Sequence, residues 1–197
     1  MTESPDFSAL ICSRICHDLV NPIGAIGNGV ELMRMDGTVK GPELALIAES
    51  VANANARIRF FRIAFGASGD QRVARSDVLS ILSDVTRGGR MRITWTSGSD
   101  LARSEVRLAF LAIQCCETAM PYGGTITVAH SGDSWQITAQ SGRFKVDEAL
   151  WAGLSRSGGP GDVSPAHVQF ALLPLGVTDL GRHLAVERSE TGIRLRF

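Results

Sequence analysis

The chain has 197 residues, 44% of them apolar, enough for an ordinary packed core in one large or two small domains. Its 20 basic and 20 acidic side chains cancel, which leaves no basic field to draw in nucleic acid or anionic lipid. No run reaches the ~18 apolar residues of a membrane span and the N-terminal residues show no signal-peptide pattern, so a soluble cytoplasmic protein, bound to neither membrane nor nucleic acid, is expected.

From about Ser8 to Met35, apolar residues recur at Cys12, Ile15, Leu19, Ile23, Ile26, Val30 and Met33, in steps of three and four that predict one helix. His17 lies off this stripe, about 200° from both Ile15 and Leu19 at roughly 100° per residue. It shares the outward face with Ser13, Asn21, Gly24, Asn28 and Glu31, all small or polar, and Asp18 follows it directly. An imidazole on a rigid helix, facing water with an acid beside it, is open to the approach of another molecule. Pro22 removes a backbone donor one turn later and is expected to bend the helix.

Gly37 suits a left-handed helix stop, and Gly41-Pro42 suits the start of a second helix. Leu44, Ile47, Val51, Ala54, Ile58, Phe61 and Phe65 then form a heptad-like seam. Two long helices joined by a short loop run antiparallel, as a hairpin. Leu46, Phe60 and Ile63 widen the apolar face, so two hairpins are expected to pair as a four-helix homodimer. Phe60, off the main seam, is also a candidate partner contact.

The texture changes after the break at Gly66–Gln71. Ser76-Asp77 can cap a short helix from Val78 to Arg87, Met91–Thr96 alternates like a strand, and Ser104–Met120 reads as a long helix. Gly123-Gly124 leads into a hairpin, Thr125–Ala129 and Trp135–Ala139, turning at Ser131-Gly132-Asp133. A short helix over Val146–Leu154, a glycine-rich loop at Ser157–Gly161, and a helix from Ser164-Pro165 to about Leu180, kinked or ended by Pro174, come next. Two strands, Gly181–Glu187 and Gly192–Phe197, close the chain. The fold class is α+β, with helices on one face of a mixed or antiparallel sheet. The boundary divides a helical hairpin, residues 1–68, from an α/β domain, residues 69–197.

Cys12, Cys16, Cys115 and Cys116 lack Cys-x-x-Cys spacing and read as buried free thiols. No metal site is expected: Cys12 and Cys16 belong to the packed side of the helix while His17 points outward. The glycines Gly24, Gly27 and Gly29 stand in the wrong order for a dinucleotide loop and follow no strand, so they read as packing rather than a phosphate cradle. His130, His167 and His183 are scattered and read as structural.

The text His17-Asp18-Leu19-Val20-Asn21-Pro22, the run Arg59-Phe60-Phe61-Arg62-Ile63-Ala64-Phe65 and the order of elements resemble the ChpT-type histidine phosphotransferases. These are similar in layout to the dimerisation and ATP-binding halves of a sensor histidine kinase. The resemblance implies a degenerate kinase-like second domain. Where such kinases place a magnesium-holding asparagine, this chain has Thr118. Gln140-Ser141-Gly142-Arg143 stands in place of an Asp-x-Gly-x-Gly adenine motif, and His167-Val168-Gln169 in place of a Gly-x-Gly phosphate loop. Three such departures predict that ATP does not bind and that the chain carries no cofactor of its own.

The activity implied is a phosphorelay in which His17 takes a phosphoryl group from one aspartate-bearing receiver domain and yields it to another. One of these would be the receiver of a hybrid histidine kinase, and the receiver would supply the magnesium. An imidazole of ordinary pKa, about 6.5, is mostly neutral near pH 7 and is a good nucleophile. Asp18 can accept a hydrogen bond from its second nitrogen, which fixes the tautomer and stabilises the developing charge. Asn21, one turn on, can orient a water or the phosphoryl oxygens. Ser13, Pro22, Gly24, Gly27, Asn28, Glu31 and Phe60 are the expected receiver-docking residues. Two other readings stay open: an autophosphorylating kinase with diverged nucleotide motifs, and a non-catalytic receiver-docking scaffold.

Overall fold

The computed structural model describes residues 14, 15, 18, 19, 22, 24–26, 28, 29, 32, 42–66, 71–155 and 161–197, with backbone alone at 43–45 and 48. Every described residue within 14–32 is helical, and this first helix is called α1. His17, Asn21, Ser13, Gly27, Glu31, Cys12 and Cys16 lie outside the described residues, as do Gly37, most of the break after Gly66 and all but Gly161 of the glycine-rich loop.

The second helix, α2, runs over Pro42–Ala64. Its two ends do different jobs. Phe60, Phe61, Ile63, Ala64 and Phe65 are buried in one continuous core with the rest of the chain, whereas Leu46, Val51 and Ile58 are about 40% exposed. The heptad seam is therefore split: Phe61 and Phe65 end inside the fold, and Val51 and Ile58 stay on its surface. Phe60 corrects an expectation. It is 4% exposed and stacks on Phe110, so it is closed to an incoming partner, because the apolar face of this last turn is used up by packing onto the next domain.

Beyond α2, the two-residue strands β1 (Arg72–Val73) and β3 (Leu101–Ala102) pair antiparallel. Helix α3 spans Arg75–Thr86 and starts earlier than the Ser76-Asp77 cap predicts. Its N-cap is Ala74, which offers no side-chain bond; instead the Arg75 amide donates to the distant Asp100 carboxylate at 2.8 Å. An acceptor brought by tertiary folding thus takes the place of a local cap.

Strand β2 (Met91–Trp95) is joined through helix α4 (Arg103–Ala119) to β4 (Gly124–Ser131), and the two strands pair in parallel. Parallel neighbours need a long crossover, which α4 supplies. Strand β5 (Ser134–Gln140) returns from β4 as a hairpin across Gly132, whose φ is +59°. With β6 (Ala185–Arg188) and β7 (Gly192–Arg196) the sheet has five strands in the order β2-β4-β5-β7-β6, so it is mixed. One face alternates outward through Arg92, Thr94, Thr125, Thr127, Gln136 and Arg194; the other buries Ile126, Val128, Ile137 and Leu195 against α4.

Helix α4 is the centre of the core, with Val106, Ala109, Phe110, Leu111, Ala112, Ile113, Cys115 and Cys116 inaccessible to solvent. Cys115 and Cys116 are free thiols, and burial pushes both well above the usual range, so they stay protonated. Gly123 and Gly124 are required by backbone geometry: at φ of +95° and +149°, a Cβ would meet the Arg90 carbonyl at 2.5 Å and the Gln140 carbonyl at 2.3 Å.

Helix α5 (Glu148–Gly153) is capped by Asp147, whose carboxylate accepts from the amides of Ala149 and Leu150. A 3-10 turn, Pro165–His167, then opens onto α6 (Val168–Asp179). Pro174 does not end α6, contrary to its usual effect. It is buried together with Leu173 and Val177 on the helix packed against α4, and Thr178 Oγ donates to its carbonyl at 2.9 Å, so packing holds the helix through the missing amide.

Candidate functional site

Helix α1 meets the second half of the chain across an open cavity of about 850 Å³. Its walls include Arg14, Asp18 and Pro22 on α1; Glu49, Asn53 and Arg57 on α2; the segment 85–91 from the end of α3 into β2; Gln114, Glu117 and Thr118 on α4 with the turn after it; and Ala166 with His167 ahead of α6. Asp18 therefore faces the junction of the two halves. Its carboxylate forms an ion pair with Arg14 one turn earlier, at 2.7 Å, and a longer one with Arg57 of α2, at 4.0 Å. Both members of the shorter pair are largely buried, with side chains 16% and 10% exposed, so water and salt screen it less than a surface pair.

The first helix also grips the far wall. Arg14 Nη1 donates to the Ala166 carbonyl at 2.9 Å. Nearby, Glu117 carries a carboxyl raised above its ordinary value, chiefly by burial, with Arg57 and Arg14 opposing the rise and Asp18 adding to it. His167 is held below its ordinary value, first by burial, with Asp147 opposing and Arg14 adding to the effect, and its Nδ1 lies 3.0 Å from Ser164 Oγ. His167 is thus not an isolated histidine but a member of the cavity wall.

Gly24 and Asn28 are exposed on α1, and space around Gly24 is open: a Cβ there would meet nothing within 4 Å. Pro22 is partly buried at the cavity edge. Arg14, Arg57 and Glu117 were not among the candidates from sequence. A signal existed for one of them, since Arg14 stands four residues before Asp18 on the same helix face; the other two are brought in by tertiary folding.

Thr118 occupies the wall where the kinase resemblance places a metal-holding asparagine. Its hydroxyl donates to the Gln114 carbonyl at 2.9 Å and accepts from Gln169 Nε2 at 3.0 Å. Ser141 Oγ in turn donates to the Gly123 carbonyl at 2.8 Å. Among the described residues, no group of three or more His, Cys, Asp or Glu side chains could hold a metal ion, and no helix is long and apolar enough to cross a membrane.

Residues 75–192 match the model of the histidine phosphotransferase C-terminal domain. The chain belongs to the histidine phosphotransferase family. A curated relative, the protein phosphotransferase ChpT of Brucella abortus (strain 2308), is 37% identical over 130 residues, which is 64% of this chain. The match spans 62% of that relative's length. A solved bacterial phosphotransferase has the same fold, with a TM-score of 0.84 at 30% identity, covering 100% of this chain and 98% of the other. In this member of the family, then, the five-stranded sheet and its helices form the family's C-terminal domain, and α1 and α2 stand against it with Asp18 at the seam.

Proposed function

We propose that this chain relays phosphoryl groups between aspartate-bearing receiver domains, with His17 as the carrier. The observation that carries the reading is the match to the phosphotransferase C-terminal domain on a chain whose adjoining helix sets Asp18, the residue after His17, into the junction between the halves. In the forward step the imidazole nitrogen attacks the aspartyl phosphate of a donor receiver. The N–P bond forms as the acyl phosphate P–O bond breaks, and the donor aspartate leaves as a carboxylate. The acceptor receiver's aspartate reverses the exchange. Such transfers depend on in-line positioning and charge neutralisation more than on covalent machinery. Asp18 accepts a hydrogen bond from the second ring nitrogen, and Asn21 orients a water or the phosphoryl oxygens.

No nucleotide enters this scheme, and the magnesium is the receiver's. The side chain at position 118 is a hydroxyl already engaged by Gln114 and Gln169, and Arg14 reaches across the cavity to Ala166. Both features favour a relay over autophosphorylation from ATP. Receivers dock on α1, at Ser13, Gly24, Gly27, Asn28 and Glu31 and at Pro22 on the cavity edge, in the cytoplasm. The working unit is a homodimer whose hairpins meet through the exposed apolar stripe of α2.

Mixing the protein with a radiolabelled phospho-receiver and then with a second, unlabelled receiver tests the scheme. Label should pass onto the chain and then off it, and His17→Ala should stop both steps. Label that reaches the second receiver equally well through His17→Ala would refute the relay.

A further inference from the structure

Arg14 of α1 bridges the helix to the C-terminal domain, beside the packing of Ile15 against the core. Arg14 is 16% exposed, and its two terminal nitrogens do different work: Nη2 sits 2.7 Å from the Asp18 carboxylate and Nη1 donates to the Ala166 carbonyl at 2.9 Å. An exposed ion pair between residues four apart on a helix stabilises little and leaves both side chains to hop between rotamers. Here the guanidinium is fixed at its far end by a backbone carbonyl of the 3-10 turn Pro165–His167, and a planar fork is able to hold two acceptors at once. Arg57 reaches Asp18 from α2 at 4.0 Å, so the carboxylate lies between two cations carried by both arms of the hairpin.

We propose that Arg14 is a positioning residue for phosphoryl transfer: by bridging Asp18 to the Ala166 carbonyl, it makes the aim of the acid beside His17 depend on the docked C-terminal domain. The inference rests on the reading of His17 as phosphoacceptor. It gives the C-terminal domain a part in the reaction. The carbonyl of Ala166 fixes Arg14, Arg14 fixes Asp18, and Asp18 orients the ring. A lysine at position 14 keeps the positive charge, but its one nitrogen on a flexible stem does not reproduce the fork.

The test measures transfer from a radiolabelled phospho-receiver to the full chain as a function of receiver concentration, for the wild type, Arg14→Gln, Arg14→Lys, Asp18→Asn and the Arg14→Gln/Asp18→Asn double variant. Both Arg14 variants should lower the maximal rate by roughly tenfold or more, the scale on which misplacement of a reacting group is felt, with the half-saturating receiver concentration unchanged. In the Asp18→Asn background, Arg14→Gln should change the rate by less than about twofold, because residues that act in one chain are not additive. A thermal unfolding midpoint for each variant verifies that it is folded, and Arg14→Lys carries the test if Arg14→Gln does not fold. The proposal is overturned if Arg14→Lys transfers at the wild-type rate, if only the half-saturating concentration rises, or if Arg14→Gln costs the same factor with and without Asp18. His17→Ala stands apart: labelling that survives it overturns the phosphoacceptor reading itself, whatever Arg14 does.

Discussion

Phe60 of α2 stacks on Phe110 of α4 with ring centroids 4.4 Å apart and planes inclined by 19°. Both rings are at least 96% buried, and Phe110 also meets Trp95 edge to face at 6.4 Å, so the pair fastens the hairpin to the helix behind the sheet. Phe60→Ala removes a core side chain and leaves a cavity, and should cost about 3–5 kcal/mol in urea-induced unfolding. A wild-type unfolding midpoint for Phe60→Ala would return Phe60 to the list of docking residues.

Glu105 is the acceptor for three donors. Arg182 binds it through both nitrogens at 2.8 Å, and Trp135 Nε1 donates at 2.6 Å. Burial works to raise its carboxyl, but the hydrogen bonds from Arg182 and Trp135 prevail and hold it below the ordinary value of 4.5. A depressed folded-state value stabilises the fold above the unfolded value, and that stability is lost as pH falls through the folded one. Glu105→Gln should therefore lose about 1–3 kcal/mol near neutrality, with the gap to wild type closing in acid. Parallel acid titrations of the two proteins, followed by tryptophan fluorescence, check this; a gap that widens in acid contradicts it.

Glu117 has the opposite sign. Burial raises its carboxyl above 4.5, so the fold holds its proton more tightly than the unfolded chain does. The contribution is fully present below the unfolded value and is lost as pH rises through the folded one. Glu117→Gln, which cannot ionise, should gain stability over wild type as pH increases. Melting temperatures of both proteins at about pH 4 and about pH 8 decide it. An advantage that shrinks toward alkaline pH would mean that Arg57 and Arg14 outweigh burial.

Val51 and Ile58 lie seven residues apart on α2, 41% and 39% exposed, on the seam that the heptad spacing marks for a second hairpin. Val51→Glu combined with Ile58→Glu places two charges in that seam. Light scattering coupled to size exclusion should show the wild type as a dimer and the double variant as a monomer of unchanged helix content. A wild-type monomer would remove the four-helix bundle from the account.

Much of this arrangement is readable in advance from periodicity. The steps of three and four over Glu43–Phe65 match α2, the alternation of Met91–Trp95 and the turn at Gly132 match β2 and the β4–β5 hairpin, and the helix expected from Ser164-Pro165 is found, with its first turn, Pro165–His167, wound as 3-10 ahead of α6. What escapes is what depends on distant partners. Strands β1 and β3 are two residues each, too short for any alternation, and exist because they pair with one another. Helix α3 begins at Arg75 because Asp100, 25 residues on, meets its amide. Phe60 looks like a spare apolar residue until Phe110 is brought beneath it. At the site, the four-residue step from Arg14 to Asp18 is local and legible. Arg57, Glu117 and Ala166 join them only once the two halves of the chain are packed.

In the proposed relay, His17 carries the phosphoryl group. After a brief exposure to a phosphorylated receiver, the chain can be digested at neutral pH and the phosphorylated peptide identified by mass spectrometry, with its stability followed in acid and in base. The account predicts one acid-labile, base-stable phosphoryl group, on His17 alone. A phosphoryl group on His130, His167 or His183, on a carboxylate, or nowhere on the chain would contradict it.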